Sequence, residues 1–163
     1  DSAFYVQNVD DVDTANITMK FYDSTGALSC ELSDTVAPLA SKGFWVPTVI
    51  CDTGSLPAGW VGAVVVTSDQ PIVSVGRPHV GAQVTSYPGI GSGGNNLYLP
   101  MLFKNAFGGS YNSAFYIQNT DALNAAEVTL KFYDLNGNLS CMRTDTIPAL
   151  ATLGFWVPSV TCE

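Results

Sequence analysis

Residues 16–23 read NITMKFYD, so Ile17, Met19 and Phe21 alternate with Thr18, Lys20 and Tyr22. A period of two marks a half-buried β-strand, because successive side chains point to opposite faces. Short aromatic or β-branched runs recur along the whole chain. They are SAFYVQN at 2–8, the strand around LSC at 28–30, GFWVP at 43–47, GWVGAVVV at 59–66 and PIVSVGRPHV at 71–80. Turn chemistry separates them. DSTG at 23–26 and DLNG at 134–137 place Asp first and Gly fourth, as a type I turn prefers. LYLPMLFKN at 97–105 reads as a further strand, with Pro100 marking an edge or a switch between sheets. No ten-residue window carries a helical stripe, so the pattern predicts an all-β chain.

The pattern also repeats. A constant shift of 111 carries residues 1–51 onto 112–162, with 28 of the 51 pairs identical. SAFYVQN returns as SAFYIQN, and FYD, LSC and GFWVP return unchanged. Core pairs are conservative: Ile17 with Val128, Met19 with Leu130, Val36 with Ile147. A period of about 111 is too long for a solenoid turn and suits a whole small domain. Taken from LYLP, one period holds seven short strands, which predicts tandem immunoglobulin-like β-sandwich modules. The flexible stretch GIGSGGNN at 89–96 reads as the linker between them. The expected division is 1–92, a module lacking its first strand, and 93–163, the start of the next, lacking its last two. The array is thus incomplete at both chain ends.

Composition narrows the function classes. At 47% hydrophobic the chain can bury a core, whereas at 12% charged its surface must be built from Ser, Thr, Asn, Gln and Gly. A net charge of −8 with six scattered basic residues disfavours nucleic acid. No run reaches transmembrane length. The chain begins directly on a strand, so a targeting segment is expected to have been removed or to lie outside it.

Cys30 and Cys51, and Cys141 and Cys162, are each 21 residues apart. No metal-type Cys/His cluster occurs. A hairpin folded near 38–41 would bring Cys30 towards Cys51, predicting Cys30–Cys51 and Cys141–Cys162 rather than cross-links between modules. Each would stabilise by roughly 3 kcal/mol in the chain-entropy model. Paired cysteines with few lysines point to an extracellular, oxidising compartment.

Candidate chemistry is sparse. His79 is the single histidine, no nucleophile elbow accompanies it, and it reads as a strand-end surface residue. The repeated acids Asp10/Asp121, Asp23/Asp134 and Asp34/Asp145 fall at turns or outward positions, which suits structure rather than paired-carboxylate catalysis. VDDVDT at 9–14 has the clustered oxygens a calcium loop uses, but the second copy loses most of its acids, favouring a solvated loop. No enzyme, cofactor or metal is expected. Asn16-Ile17-Thr18 and Asn138-Leu139-Ser140 fit the glycosylation sequon at non-equivalent places. In Phe44–Trp45 and Phe155–Trp156, alternation turns one ring inward and one outward. The outward ring is a candidate for sugar stacking or for contact between modules.

Taken in order, LYLPMLFKN, SAFYIQN, AEVTLKFYDLNGN and PAGWVGAVVVTSDQPIVSV resemble the tandem repeats of secreted surface proteins in filamentous Chloroflexus-like bacteria. The resemblance covers nearly the whole chain and rests on motif order; the paired cysteines lie outside it. It implies an extracellular β-sandwich array with a structural or adhesive role and no catalytic residues. Three completions of the partial modules compete: a longer array, LYLPMLFKN folding back as a seventh strand, or strand donation between chains. The expectation is a segment of an extracellular filament or surface fibre, self-associating through modules completed along the array. Trp45, Trp156, Leu97, Tyr98, Leu99 and Pro100 are the candidate assembly or glycan contacts. The alternative is an adhesin or carbohydrate-binding accessory module that holds polysaccharide.

Overall fold

The computed structural model describes residues 1–80 and 83–163. The chain divides into two compact units, Asp1–Asp23 with Leu28–Gly93, and Ser24–Ala27 with Gly94–Glu163. The boundary near 93 falls within GIGSGGNN, which is exposed and strand-free.

The first unit contains β1 (Ser2–Asn8), β2 (Ala15–Asp23), β3 (Leu28–Val36), β4 (Ser41–Trp45), β5 (Thr53–Gly54), β6 (Gly62–Ser68), β7 (Ile72–Val80), β8 (Gln83–Val84) and β9 (Tyr87–Pro88). One antiparallel sheet runs β4–β1–β7–β8, with β9 also on β7; the other runs β5–β3–β2–β6. Phe4, Val6 and Phe44 of the first and Ile17, Met19, Phe21, Cys30 and Leu32 of the second form one buried cluster. The two sheets therefore pack face to face as a β-sandwich. Phe4 stacks on Phe44 at 5.0 Å between centroids and meets Phe21 of the facing sheet at 6.1 Å.

β2 and β3 form the expected hairpin. Gly26 adopts a left-handed φ of 86° and the register shifts between Phe21 and Tyr22, as in a type I turn closed by a glycine bulge. The remaining connections behave differently from a chain of hairpins. β3 and β4 lie in different sheets, so the hairpin expected to approximate Cys30 and Cys51 does not exist. The disulfides nevertheless form as paired, with Cα–Cα distances of 5.6 Å for Cys30–Cys51 and 5.3 Å for Cys141–Cys162. A 3-10 turn at Val46–Thr48 precedes the return of the chain, and β5 then pairs with Cys30 and Glu31. β6 and β7 are likewise split: β6 flanks β2, and β7 flanks β1.

The second unit contains a short helix α1 (Ala106–Gly109) and β10 (Ala114–Gln118), β11 (Ala126–Tyr133), β12 (Leu139–Ile147) and β13 (Thr152–Trp156). Its pairings reproduce those of the first copy: Phe115 opposes Phe155 as Phe4 opposes Phe44, and Val128 opposes Asp145 as Ile17 opposes Asp34.

LYLPMLFKN departs from expectation, because residues 97–105 form no strand. Pro100 lacks an N–H for a ladder, and Leu97, Tyr98, Leu99 and Met101 are all exposed. Only Leu102 of this run packs against the second unit's core, and Phe103 exchanges bonds with Ser113. Nor is an edge of β1 left vacant for it. β4 takes one side and β7 the other, the latter in register from Ser2–Pro78 to Asn8–Ile72. Ser74 and Gly76 present little bulk where β7 opposes Val6 and Phe4, which an alternating strand of large residues such as 97–105 would not.

Candidate functional site

Each copy of the QN motif ends in a buried asparagine. The Nδ2 of Asn8 donates to the carbonyls of Asp13 and Val36, at 2.7 and 3.1 Å, and its Oδ1 accepts the Asp10 N–H at 2.9 Å. Asn119 does the same with Asn124, Ile147 and Asp121. The amide thus ties the loop after the first strand to the end of the third. Sequence reading missed this role, although an identical amide after strands that differ only at Val6 and Ile117 was its signal.

The Asp10 carboxylate that suggested a calcium loop is engaged by its own backbone. Its Oδ1 accepts the N–H groups of Asp13 and Val12, at 2.7 and 2.8 Å, and these bonds hold its pKa below the ordinary value. Asp121 is held down likewise by the Leu123 N–H and by Asn124. Among the described residues no three His, Cys, Asp or Glu side chains gather as metal ligands. The other repeated acids act locally: Asp134 closes its turn, Asp34 meets Lys42 at 2.6 Å, and Asp145 chelates Arg143.

The aromatic pairs divide as alternation requires. Phe44 and Phe155 are buried, and Trp45 and Trp156 face outward at 39% and 50% exposure. Trp45 shares a cross-strand rank with Ala3 and Arg77, and its ring stands nearly perpendicular to that of His79, with 5.5 Å between centroids. Tyr5 lies over Gly43 in the next rank, so closely that a Cβ there would sit 2.8 Å from the ring. Tyr116 covers Gly154 in the same way. Leu97, Tyr98, Leu99 and Pro100 are exposed on the irregular stretch, in no rank with a tryptophan.

The edges of the sheets distinguish the two copies. In the first unit β1 and β2 are each paired on both sides. In the second, among the described residues, β10 pairs only with β13 and β11 only with β12. Burial follows pairing. Ile17, Met19 and Phe21 are at most 1% exposed, whereas their counterparts Val128, Leu130 and Phe132 are only half-buried. Val64, Val66 and Ile72 supply the missing cover in the first unit. The second unit therefore carries an open, apolar-lined side bounded by two strand edges.

No helix among the described residues is long and apolar enough to cross a membrane. Comparisons with protein-family models, curated proteins and solved structures found no match.

Proposed function

We propose that the chain is a structural segment of an extracellular filament or surface fibre, built from tandem immunoglobulin-like sandwich modules that complete one another along the array. The observation that carries this reading is the structural repeat, in which β10–β13 and β11–β12 keep the registers of β1–β4 and β2–β3. The two disulfides suit an oxidising exterior. The motif order shared with tandem surface repeats supports the same reading. Electron microscopy of the native material tests it: filaments with a regular axial repeat are expected, and discrete particles would overturn it.

A second reading is favoured by Trp45, whose ring meets His79 and whose rank holds Arg77 on the far side of Ala3, an aromatic platform with a polar ring beside it and a cation two strands away. Such a surface suits a carbohydrate-binding or adhesive module. Glycan-array binding that disappears in Trp45→Ala would establish it.

A further inference from the structure

We infer that Asn136 is a site of spontaneous, backbone-assisted deamidation, slowed by the turn that Asp134 closes, and that the second copy undergoes this covalent change while the matching turn of the first does not.

The turns at Asp23–Gly26 and Asp134–Gly137 occupy equivalent places, and their glycines share a left-handed φ, 86° at Gly26 and 84° at Gly137. They differ in the residue before that glycine, Thr25 in one and Asn136 in the other. Asn136 is the one asparagine of the chain that a glycine follows. The backbone nitrogen of Gly137 can attack the side-chain carbonyl carbon of Asn136, forming a new C–N bond and closing a succinimide ring. The bond from that carbon to Nδ2 breaks, and Nδ2 leaves as ammonia with the proton given up by the Gly137 amide. Water then adds to either ring carbonyl. Cleaving the newly formed C–N bond leaves aspartate; cleaving the original peptide bond leaves isoaspartate, with the main chain routed through Cβ. A water is consumed and an ammonia released, with no oxidant or reductant.

The surroundings favour the reaction. Glycine lacks the side chain that would crowd the ring. Beyond its chain neighbours, Gly137 has no atom within 4 Å of the place a Cβ would take. Asn136 is exposed at a hairpin tip, where water arrives freely. Its amide nitrogen has no hydrogen-bond partner among the described residues, whereas those of Asn16, Asn112, Asn124 and Asn138 are engaged.

The turn itself is the brake. The Gly137 N–H donates to the Asp134 carbonyl at 3.1 Å, and the Asn136 and Asn138 N–H groups donate to the Asp134 Oδ1 at 2.8 and 2.9 Å. While these bonds hold, the attacking nitrogen keeps its proton and its place, so reaction waits on local opening. The products then loosen the turn. Aspartate at 136 adds a negative charge to the net −8, in the same turn as Asp134. Isoaspartate lengthens a connection whose length sets the register of β11 on β12.

The test incubates the intact chain at mildly alkaline pH and follows it by peptide mapping with an isoaspartate-specific assay. A mixture of aspartate and isoaspartate is expected at Asn136, formed faster than at Asn96 or Asn124. Unfolding in urea should raise the rate, and Asp134→Ala should raise it in the folded chain by roughly three- to ten-fold, the scale of a lost hydrogen bond. Asp134→Asn, which keeps an oxygen for both N–H groups, should fall between. Amide exchange at Gly137 and Asn138 should be faster in the aged chain than in the fresh one. Conversion at Asn136 no faster than at Asn96, or aspartate without isoaspartate, overturns the site. Equal rates in the folded, unfolded and Asp134→Ala chains overturn the brake, and unchanged exchange in the aged chain overturns the loosening.

Discussion

Asn8 and Asn119 show how much of each copy hangs on one amide. Each satisfies carbonyls at the end of the third strand and a loop N–H, in a place that water reaches poorly. Asn8→Ala orphans these groups and is expected to cost about 2–4 kcal/mol, read from the denaturant midpoint. The loop aspartates, with Asp145 of β12 beside Arg143, predict a pH dependence. Asp10, Asp69, Asp121, Asp134 and Asp145 all have folded pKa values below the ordinary 3.8. A depressed carboxyl stabilises the fold above its unfolded pKa, and that contribution is lost as pH falls through the folded value. The melting temperature should therefore hold steady above about pH 5 and fall progressively below about pH 4. Asp10→Asn keeps an oxygen for both N–H groups and should flatten part of that acid limb; an unchanged limb would count against the assignment. The repeated amide was a signal in the sequence, but its partners were not legible before the fold was known, because an Asp or Asn beside a loop reads as turn chemistry whatever it caps.

At the scale of elements the sequence is a good guide to strands and a poor one to sheets. Alternation located β2, and short aromatic or β-branched runs located β1, β6 and β7. It could not say which sheet each strand joins. β3 to β4 and β6 to β7 look like hairpins on paper, yet each crosses from one layer to the other. Residues 97–105 misled because large apolar side chains suit a strand, while Pro100 and the pairing needs of β1 settle the matter elsewhere. The disulfide was recognised from repeated spacing although its expected route was wrong. Cys30 is itself in the core, so Cys30→Ser with Cys51→Ser should lower stability by about 3 kcal/mol or more, measured by chemical denaturation under non-reducing conditions.

At the scale of the molecule, the repeat was plain in the sequence and the open side was visible only as a count of missing strands. What the count could not give was its location, on the free edges of β10 and β11. The half-covered pattern along β11 has a consequence of its own. The same alternating strand occurs twice in one polypeptide, once roofed and once bare, so the chain carries an internal control for what a roof is worth. Phe21→Ala should cost about 3–5 kcal/mol in the first unit. Phe132→Ala should cost distinctly less in the second, as read from local exchange protection. The difference between the two losses measures, in a single molecule and a single buffer, the burial that two neighbouring strands confer on a phenylalanine.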